Sequence, residues 1–154
     1  MTKLNNNTIR FATTKDIENL LPLFKYGYDF HQKNRPDKFP SKKDEELIKT
    51  IMDFIKDENT NILVKEDNKK IIGYLAYEVL ERITKFIWID ELVIEENKQN
   101  KGYAKELLSE LDNIAKDFGC KSIEFGCWCF NDNALSIYEH MNYKKQKIIF
   151  ERKL

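Results

Sequence analysis

Two acidic residues inside an apolar stretch are the first candidates for chemistry. Asp90 and Glu91 interrupt FIWIDELVI, residues 86–94, which is predicted to be a central strand covered on both faces. Side chains alternate along a strand, so Asp90 is expected on the face of Leu92 and Glu91 on the opposite face, unless a β-bulge changes the register. Such carboxylates either accept a proton during a reaction or pair with a basic neighbour for structure, and both interpretations stay open.

A lysine-rich loop follows this strand directly. The stretch EENKQNKGYAKELL, residues 95–108, leads through Gly102 into a leucine-rich helix. The backbone N–H groups of such a loop lie at a helix N-terminus, where unpaired donors and the helix dipole favour an anion. Lys98, Lys101 and Lys105 add positive charge around the same place. The residues are consistent both with a phosphate-binding loop and with an ordinary solvated turn.

Composition excludes several classes of protein. The chain of 154 residues carries 26 Lys and Arg against 26 Asp and Glu, so no overall charge attracts it to nucleic acid or to an anionic membrane. No run of about eighteen apolar residues suggests a membrane span. The first residues, MTKLNNNT, lack the apolar stretch of a signal peptide, so we expect a cytoplasmic location.

Two familiar phosphate loops and a metal centre are not indicated. A Walker-type loop requires Gly-Lys followed by Ser or Thr, and a dinucleotide fingerprint requires three glycines after an early strand; the sequence contains neither. The cysteines Cys120, Cys127 and Cys129 lack C-x-x-C spacing. Cys127 and Cys129 lie two apart in a predicted strand, but we favour small buried thiols over metal ligands and expect no bound metal.

The elements that position these groups are predicted to form one domain over residues 1–154, in the order β-α-α-β-β-β-α-β-α-β. The predicted strands are 8–12, 61–65, 71–79, 86–94, 121–130 and 144–152. Thr13 and Thr14 are candidate caps for a first helix that should change at Pro22, and Ser41 with Asp44 caps a second. The remaining assignments are an irregular connector over 31–41, a helix that stops at Gly119, and a short helix over 131–141.

Three features in register resemble the GNAT acetyltransferase superfamily over nearly the whole chain. The run Gln99 to Ala104, Q-x-x-G-x-A, resembles the family's Q/R-x-x-G-x-G/A signature, and IDELVIEEN resembles the strand before it. NDNALSIYEHMNY resembles the family's N-x-x-A-x-x-x-Y-x-x-x-G-F segment, with Asn142-Tyr143 in place of Gly-Phe. The resemblance implies a single-domain α/β (α+β) fold, with a mixed central sheet of about six to seven strands splayed in the middle and about four flanking helices.

The same resemblance implies acetyl-CoA as co-substrate and no metal. Main-chain groups of the last strand residues would pair with the pantetheine arm and polarise the thioester carbonyl, the loop would hold the diphosphate, and Asn131 would line the arm. The implied cofactor-binding residues are Leu92, Val93, Ile94, Gln99, Asn100, Lys101, Gly102, Tyr103, Ala104, Lys105, Asn131 and Tyr138.

Tyr138 occupies the family's tyrosine position, where the phenol lies near the CoA sulfur. A phenol with an ordinary pKa of about 10 is protonated at neutral pH and can donate to a leaving thiolate. Alternatively Tyr138 only packs its helix. The amine that attacks must first lose a proton, and we favour Asp90 as its acceptor, directly or through water, with Glu91 as the substitute.

The resemblance implies that the acceptor lies beneath the first two helices and the loop between the third and fourth strands. Aromatic and acidic groups there suit a cationic amine, although each also suits a solvated helix end. The candidates are Tyr28, His31, Arg35 and Glu78, with Tyr26, Asp29, Asp37 and Glu81 nearby. The acceptor class stays open between a small-molecule amine and a peptide or protein amine, and a homodimer is compatible with the fold.

Two other functions stay open besides an N-acetyltransferase. A domain of this kind can bind CoA without turnover, or serve as a protein-interaction module whose basic loop docks an acidic partner. Nucleic acid is the least favoured partner, because no strand pair interleaves aromatic and basic residues.

Overall fold

The computed structural model describes residues 3–154, so the first two residues of the predicted domain 1–154 lie outside it. The helices are α1 (Ile17–Asn34), α2 (Asp44–Lys56), α3 (Tyr103–Asp117) and α4 (Asp132–His140), with short 3-10 turns at Thr14–Asp16 and Glu96–Lys98. The strands are β1 (Ile9–Phe11), β2 (Thr60–Asp67), β3 (Lys70–Glu81), β4 (Lys85–Ile94) and β5 (Ser122–Glu124). Within the described range, no helix combines the length and apolarity needed to cross a bilayer.

The sheet follows the order of the chain, β1-β2-β3-β4-β5. The first four strands are antiparallel neighbours, and β5 is parallel to β4. The predicted hairpin of β2 and β3 is tighter than expected, since only Asn68 and Lys69 form its turn, both with positive φ (50° and 64°). Left-handed residues at both central positions match the twist of a two-residue hairpin.

The last two strands of the sheet separate after a short contact. β4 pairs with β5 only from Phe86↔Ser122 to Trp88↔Glu124. From Ile89 to Ile94, β4 is paired with β3 alone, so its other edge is open. The sheet is therefore splayed beside β4, as the family resemblance implied.

Two apolar clusters cover the two faces of the sheet. On one face, α3 buries Leu107, Leu108 and Leu111 at 0% exposure against β3 and β4. On the other face, α1 and α2 bury Leu20 and Ile51, also at 0% exposure, against β2 and β3. Each such side chain contributes roughly 1.5–3 kcal/mol by leaving water. β4 contributes Ile87 and Ile89 to the first cluster and Val93 to the second, so the predicted coverage of both faces is confirmed, whereas only Phe86–Trp88 lies between two strands.

The first two helices differ from the predicted boundaries. α1 continues through Pro22 without a break and reaches Asn34, so the irregular connector begins four residues later than expected. α2 begins at Asp44 with Lys43, not Ser41, as its N-cap. The backbone N–H of Lys43 donates to the Glu46 carboxylate, which replaces the cap expected from Ser41.

The C-terminal strands are the main correction. Only Ser122–Glu124 of the predicted strand 121–130 is a strand, and the predicted strand 144–152 is not one, so the described sheet has five strands instead of six to seven. Ile148, Ile149 and Phe150 are 70%, 82% and 90% exposed. A β-branched and aromatic run favours a strand only where a neighbouring strand covers it, and these residues have no such neighbour.

The close packing of α1 on β4 predicts a reversal of the usual glycine effect. In an exposed helix, Gly→Ala stabilises by about 1 kcal/mol. At Gly27, however, a Cβ would lie 2.5 Å from Glu91 Oε1 and 2.8 Å from Val93 Cγ2. We expect Gly27→Ala to lower the free energy of unfolding by about 1–3 kcal/mol in a denaturant titration. Gly126→Ala is the control, because a Cβ there meets no atom within 4 Å; equal stability of both variants would contradict the packing.

Candidate active site

The loop between β4 and α3 presents unpaired backbone donors. Asn100 and Gly102 both have positive φ (60° and 86°), and α3 begins at the next residue, Tyr103. Within the described chain, none of the amides of residues 100–105 makes a hydrogen bond of ordinary length and angle. Alternating left-handed residues at a helix N-terminus form a concave set of N–H groups that suits an anion.

Gly102 is required by its backbone conformation. A Cβ at this position would meet no atom within 4 Å, but φ of +86° is strained for any residue with a side chain. The space above the loop is therefore open, and the glycine provides the turn that exposes the amides.

Side chains around the loop hold it from three directions. Gln99 Nε2 donates to the carbonyl of Ile94 at 3.1 Å and to the hydroxyl of Tyr26 in α1 at 3.2 Å. Lys98 Nζ pairs with Asp67, the last residue of β2, at 2.8 Å. Lys98 was expected to add positive charge for an anion. It is instead engaged within the protein and holds the loop to β2.

Lys101 and Lys105 remain available to an anion. Both side chains are exposed, and neither forms a salt bridge with any described residue. Both belong to the same run of residues as the unpaired amides, so their charge adds to that of the helix N-terminus.

The open edge of β4 lies next to this loop. Leu92, Val93 and Ile94 pair with β3 on one side and have no strand partner on the other. An open strand edge can bind an extended chain through main-chain hydrogen bonds. The three residues that the family resemblance implied for this role lie at the open edge.

A β-bulge places the two carboxylates. The register of β3 and β4 shifts between Ala76 and Tyr77, which pair with Glu91 and Ile89, so Asp90 is the extra residue. The bulge breaks the alternation expected from the sequence, because Ile89 joins the cluster under α3 whereas Glu91 faces α1.

Asp90 and Glu91 differ in their access to solvent. The Asp90 side chain is exposed, and partial loss of water at the strand surface, together with the nearby Glu78 carboxylate, raises its pKa to about 7. Glu91 accepts a hydrogen bond from Tyr74 Oη at 2.6 Å and lies against Gly27 of α1. Desolvation raises the pKa of Glu91 to about 7 as well, against the opposing effect of the Tyr74 hydrogen bond.

Tyr138 lies on α4 among aromatic rings. Its ring centroid is 4.3 Å from that of Phe125 and 5.9 Å from that of Tyr143, and its hydroxyl makes no hydrogen bond within the described chain. Burial raises the pKa of Tyr138 above its ordinary value, so the phenol keeps its proton at neutral pH. Asn131 caps α4, since its side-chain oxygen accepts from the backbone N–H of Ala134 at 3.3 Å.

The predicted acceptor residues near α1 are mostly engaged within the protein. Tyr28 Oη donates to the Pro40 carbonyl at 2.5 Å, and His31 Nδ1 lies 2.8 Å from the Gly27 carbonyl. Arg35 pairs with Asp37 and with Glu151, both at 2.8 Å.

Glu78 differs from these residues. It is half-buried on β3 and makes no hydrogen bond or salt bridge with a described residue, although it lies close enough to Asp90 to raise the pKa of that carboxyl. An unpaired carboxylate beside Asp90 favours a positive charge in the space between them.

Sequence reasoning did not identify Tyr74 and Gly27. Tyr74 is 0% exposed and stacks on Phe24 with ring centroids 4.2 Å apart, while its hydroxyl binds Glu91. Gly27 was detectable, because a glycine inside a helical pattern is costly and indicates close packing. The role of Tyr74 depends on the bulge at Asp90, which no local pattern announces.

The described residues contain no group of three or more His, Cys, Asp or Glu side chains arranged to hold a metal ion. The three cysteines are free thiols, and Cys127 and Cys129 lie outside the strand that was expected to contain them. The candidate site consists of the loop of residues 100–105, the open edge of β4, the carboxylates of Asp90 and Glu91, and Tyr138.

Solved structures resemble this chain along almost its whole length. A tetramutant of the BH1408 protein from Bacillus halodurans is 23% identical, with a TM-score of 0.90 over 95% of this chain and 99% of that one. The aminoglycoside N-acetyltransferase AAC(6')-Iy in complex with CoA is 13% identical, with a TM-score of 0.77 over 94% of this chain and 93% of that one. At these identities the likeness shows the fold alone.

Sequence comparison identifies the family. The Bacillus subtilis (strain 168) protein named "Uncharacterized N-acetyltransferase YycN" is 26% identical over 92 residues, which span 59% of this chain and 59% of that protein. Residues 24–143 match the model described as "Acetyltransferase (GNAT) family". Since this match covers more than half of the 154 residues and includes the loop, the carboxylates and Tyr138, the chain belongs to the GNAT acetyltransferase family.

Proposed function

We propose that the protein is an N-acetyltransferase that moves the acetyl group of acetyl-CoA directly onto a primary amine. The observation that carries this proposal is the adjacency of two open main-chain surfaces. The unpaired amides of residues 100–105 follow the open edge of Leu92, Val93 and Ile94 after only five residues, 95–99. An anionic diphosphate and an extended amide-containing arm, joined in one molecule, would satisfy both surfaces.

The residues present fit coenzyme A. Asn100, Lys101, Gly102, Tyr103, Ala104 and Lys105 would hold the diphosphate through backbone N–H groups and two exposed ammonium groups. Gln99 would act by holding the loop, since its side-chain nitrogen is already bonded to Ile94 and Tyr26. Asn131 and Tyr138 would line the pantetheine arm on the side opposite the open edge of β4. When bound, acetyl-CoA supplies the thioester carbonyl that the amine attacks.

The chain's own groups provide for three needs of this transfer. A backbone N–H on the open edge of β4 would stabilise negative charge on the carbonyl oxygen. Tyr138 would donate its proton to the sulfur that leaves, because its raised pKa keeps the phenol protonated at neutral pH and its hydroxyl makes no hydrogen bond with a described residue. Asp90, which is exposed on β4 next to the open edge, would take the proton from the amine.

Glu91 suits a supporting role better than direct contact. Its carboxylate lies between Tyr74 and Gly27, beneath α1, whereas Asp90 faces solvent. Asp90 and Glu78 together favour an acceptor that carries positive charge, which a protonated amine does. Tyr28, His31 and Arg35 would then shape the entrance, since Tyr28 Oη, His31 Nδ1 and the Arg35 guanidinium are engaged within the protein.

The acceptor is proposed at the level of a primary amine on a small molecule or a peptide. An acetyl-CoA consumption screen over an amine library that includes peptides would identify it.

Free cysteines fit a reducing compartment, and we propose a cytoplasmic location on this basis.

The loop assignment predicts that CoA binding depends on the conformation of Gly102. Titration calorimetry with CoA should show binding by the unmodified chain and binding about tenfold weaker for Gly102→Ala, because a Cβ disfavours positive φ by roughly 1–2 kcal/mol. Gly119→Ala is the matched control: its φ is also positive (70°), with nothing within 4 Å of a Cβ, but it lies at the far end of α3. No binding by the unmodified chain at millimolar CoA would reject the proposal.

The Asp90 assignment predicts a pH dependence. A base must be deprotonated to act, so the rate should rise as pH increases through about 7, where Asp90 loses its proton. Asp90→Asn should lower kcat/KM by about 10²–10⁴-fold and remove this rise. Initial rates with the best amine from the screen would test it, with Glu91→Gln measured alongside. Loss of the rise in Glu91→Gln alone would assign the base to Glu91.

The Tyr138 assignment predicts a separation of turnover from binding. Tyr138→Phe removes only the hydroxyl, so kcat should fall by about 10²-fold or more while the dissociation constant of CoA changes little. The packing against Phe125 and Tyr143 is retained in this variant. Unaltered kcat would leave Tyr138 with a packing role only.

A further inference from the structure

Lys65 of β2 is the only buried lysine among residues 3–154, with 5% exposure. It lies under the first turn of α3, at a point where the register of β2 and β3 shifts between Lys65 and Glu66. A buried ammonium is costly unless it is paired, and an apolar side chain of similar size usually stabilises such a place as well or better. The stability of the fold therefore does not by itself explain why position 65 is a lysine.

The contacts of Lys65 converge on the residues that follow Gly102. Its Nζ donates to Glu106 Oε2 and to Thr8 Oγ1 and stands 5.2 Å from the centroid of the Tyr103 ring. Asn6 Nδ2 donates to the same Glu106 oxygen at 2.9 Å. Lys65 therefore fixes two side chains of the first turn of α3, Tyr103 and Glu106.

Glu106 connects this support to the backbone of the loop. Its own N–H donates to the carbonyl of Gly102 at 3.1 Å. In a trans peptide the C=O and the following N–H point in opposite directions. Since the Gly102 carbonyl points into α3, the Tyr103 N–H of the same peptide points outward, towards the space above the loop.

We propose that Lys65 is a positioning residue for the diphosphate of coenzyme A: by holding Glu106 and the Tyr103 ring, it fixes the Gly102–Tyr103 peptide with its N–H directed at the ligand. This inference rests on the proposed function, because it names how the same loop is kept ready for its anion. Lys65 itself does not touch the ligand, since it lies behind the first turn of α3. Preorganised donors bind an anion without the cost of ordering the loop.

The test uses CoA as the probe in titration calorimetry. Lys65→Met, which keeps an unbranched side chain one atom shorter and without the charge, should weaken CoA binding about tenfold, or about 1.4 kcal/mol. Lys65→Arg retains a cation that can pair with Glu106 and should restore most of the affinity. With an amine acceptor in hand, the KM for acetyl-CoA should rise in Lys65→Met while kcat stays close to that of the unmodified enzyme.

Arg10→Met provides the matched control. Arg10 pairs with Asp16 and Glu66 at the edge of the same sheet, and its removal also deletes ion pairs without touching α3. We expect its CoA affinity to be unaltered. An equal loss in Arg10→Met and Lys65→Met would show general loosening and overturn the inference.

A second variant covers the case in which Lys65→Met does not fold. Lys65→Met combined with Glu106→Gln removes both charges of the pair, so no uncompensated charge stays at the site. It should also bind CoA about tenfold more weakly. Wild-type affinity in either variant overturns the role of Lys65 while the proposed function stands. Absence of CoA binding by the unmodified chain overturns the proposed function, and this inference with it.

Discussion

The separation of β4 from β5 is the constraint on which the candidate site depends. Paired for three residues and then apart, the two strands leave the second half of β4 with main-chain groups that no protein strand satisfies. Such an edge normally invites aggregation unless it is short or covered. Here it is short, it ends in the loop of unpaired amides, and the clusters under α1 and α3 hold β4 in place on both faces.

The bulge at Asp90 converts the same strand from scaffold to candidate chemistry. A regular strand would put Asp90 and Glu91 on opposite faces. With one extra residue, Glu91 points to Tyr74 and Gly27 while Asp90 is exposed. The two carboxyl groups, both with pKa raised to about 7, carry an electrostatic cost that the surrounding apolar core offsets.

Sequence reasoning identified the features that local patterns encode. The spacing of apolar residues predicted α3 and β4, and Gly119 was predicted to end the helix, where the structure has it in a left-handed conformation. It was wrong where contacts with other segments decide the structure. Ile148, Ile149 and Phe150 are strand-forming residues, but no described strand lies beside them. α2 is capped by Lys43 and Glu46 instead of the predicted Ser41. Tyr74 was missed because its contact with Glu91 depends on a bulge between distant segments.

A site made of backbone groups leaves its side chains largely unconstrained during evolution. The amides of residues 100–105 are directed by the left-handed residues Asn100 and Gly102 and by the start of α3, so most substitutions at Lys101, whose φ is not positive, would preserve their geometry. The loop geometry can therefore persist while the side chains around it change. In such a loop, selection has to preserve the backbone conformation more than the identity of the side chains.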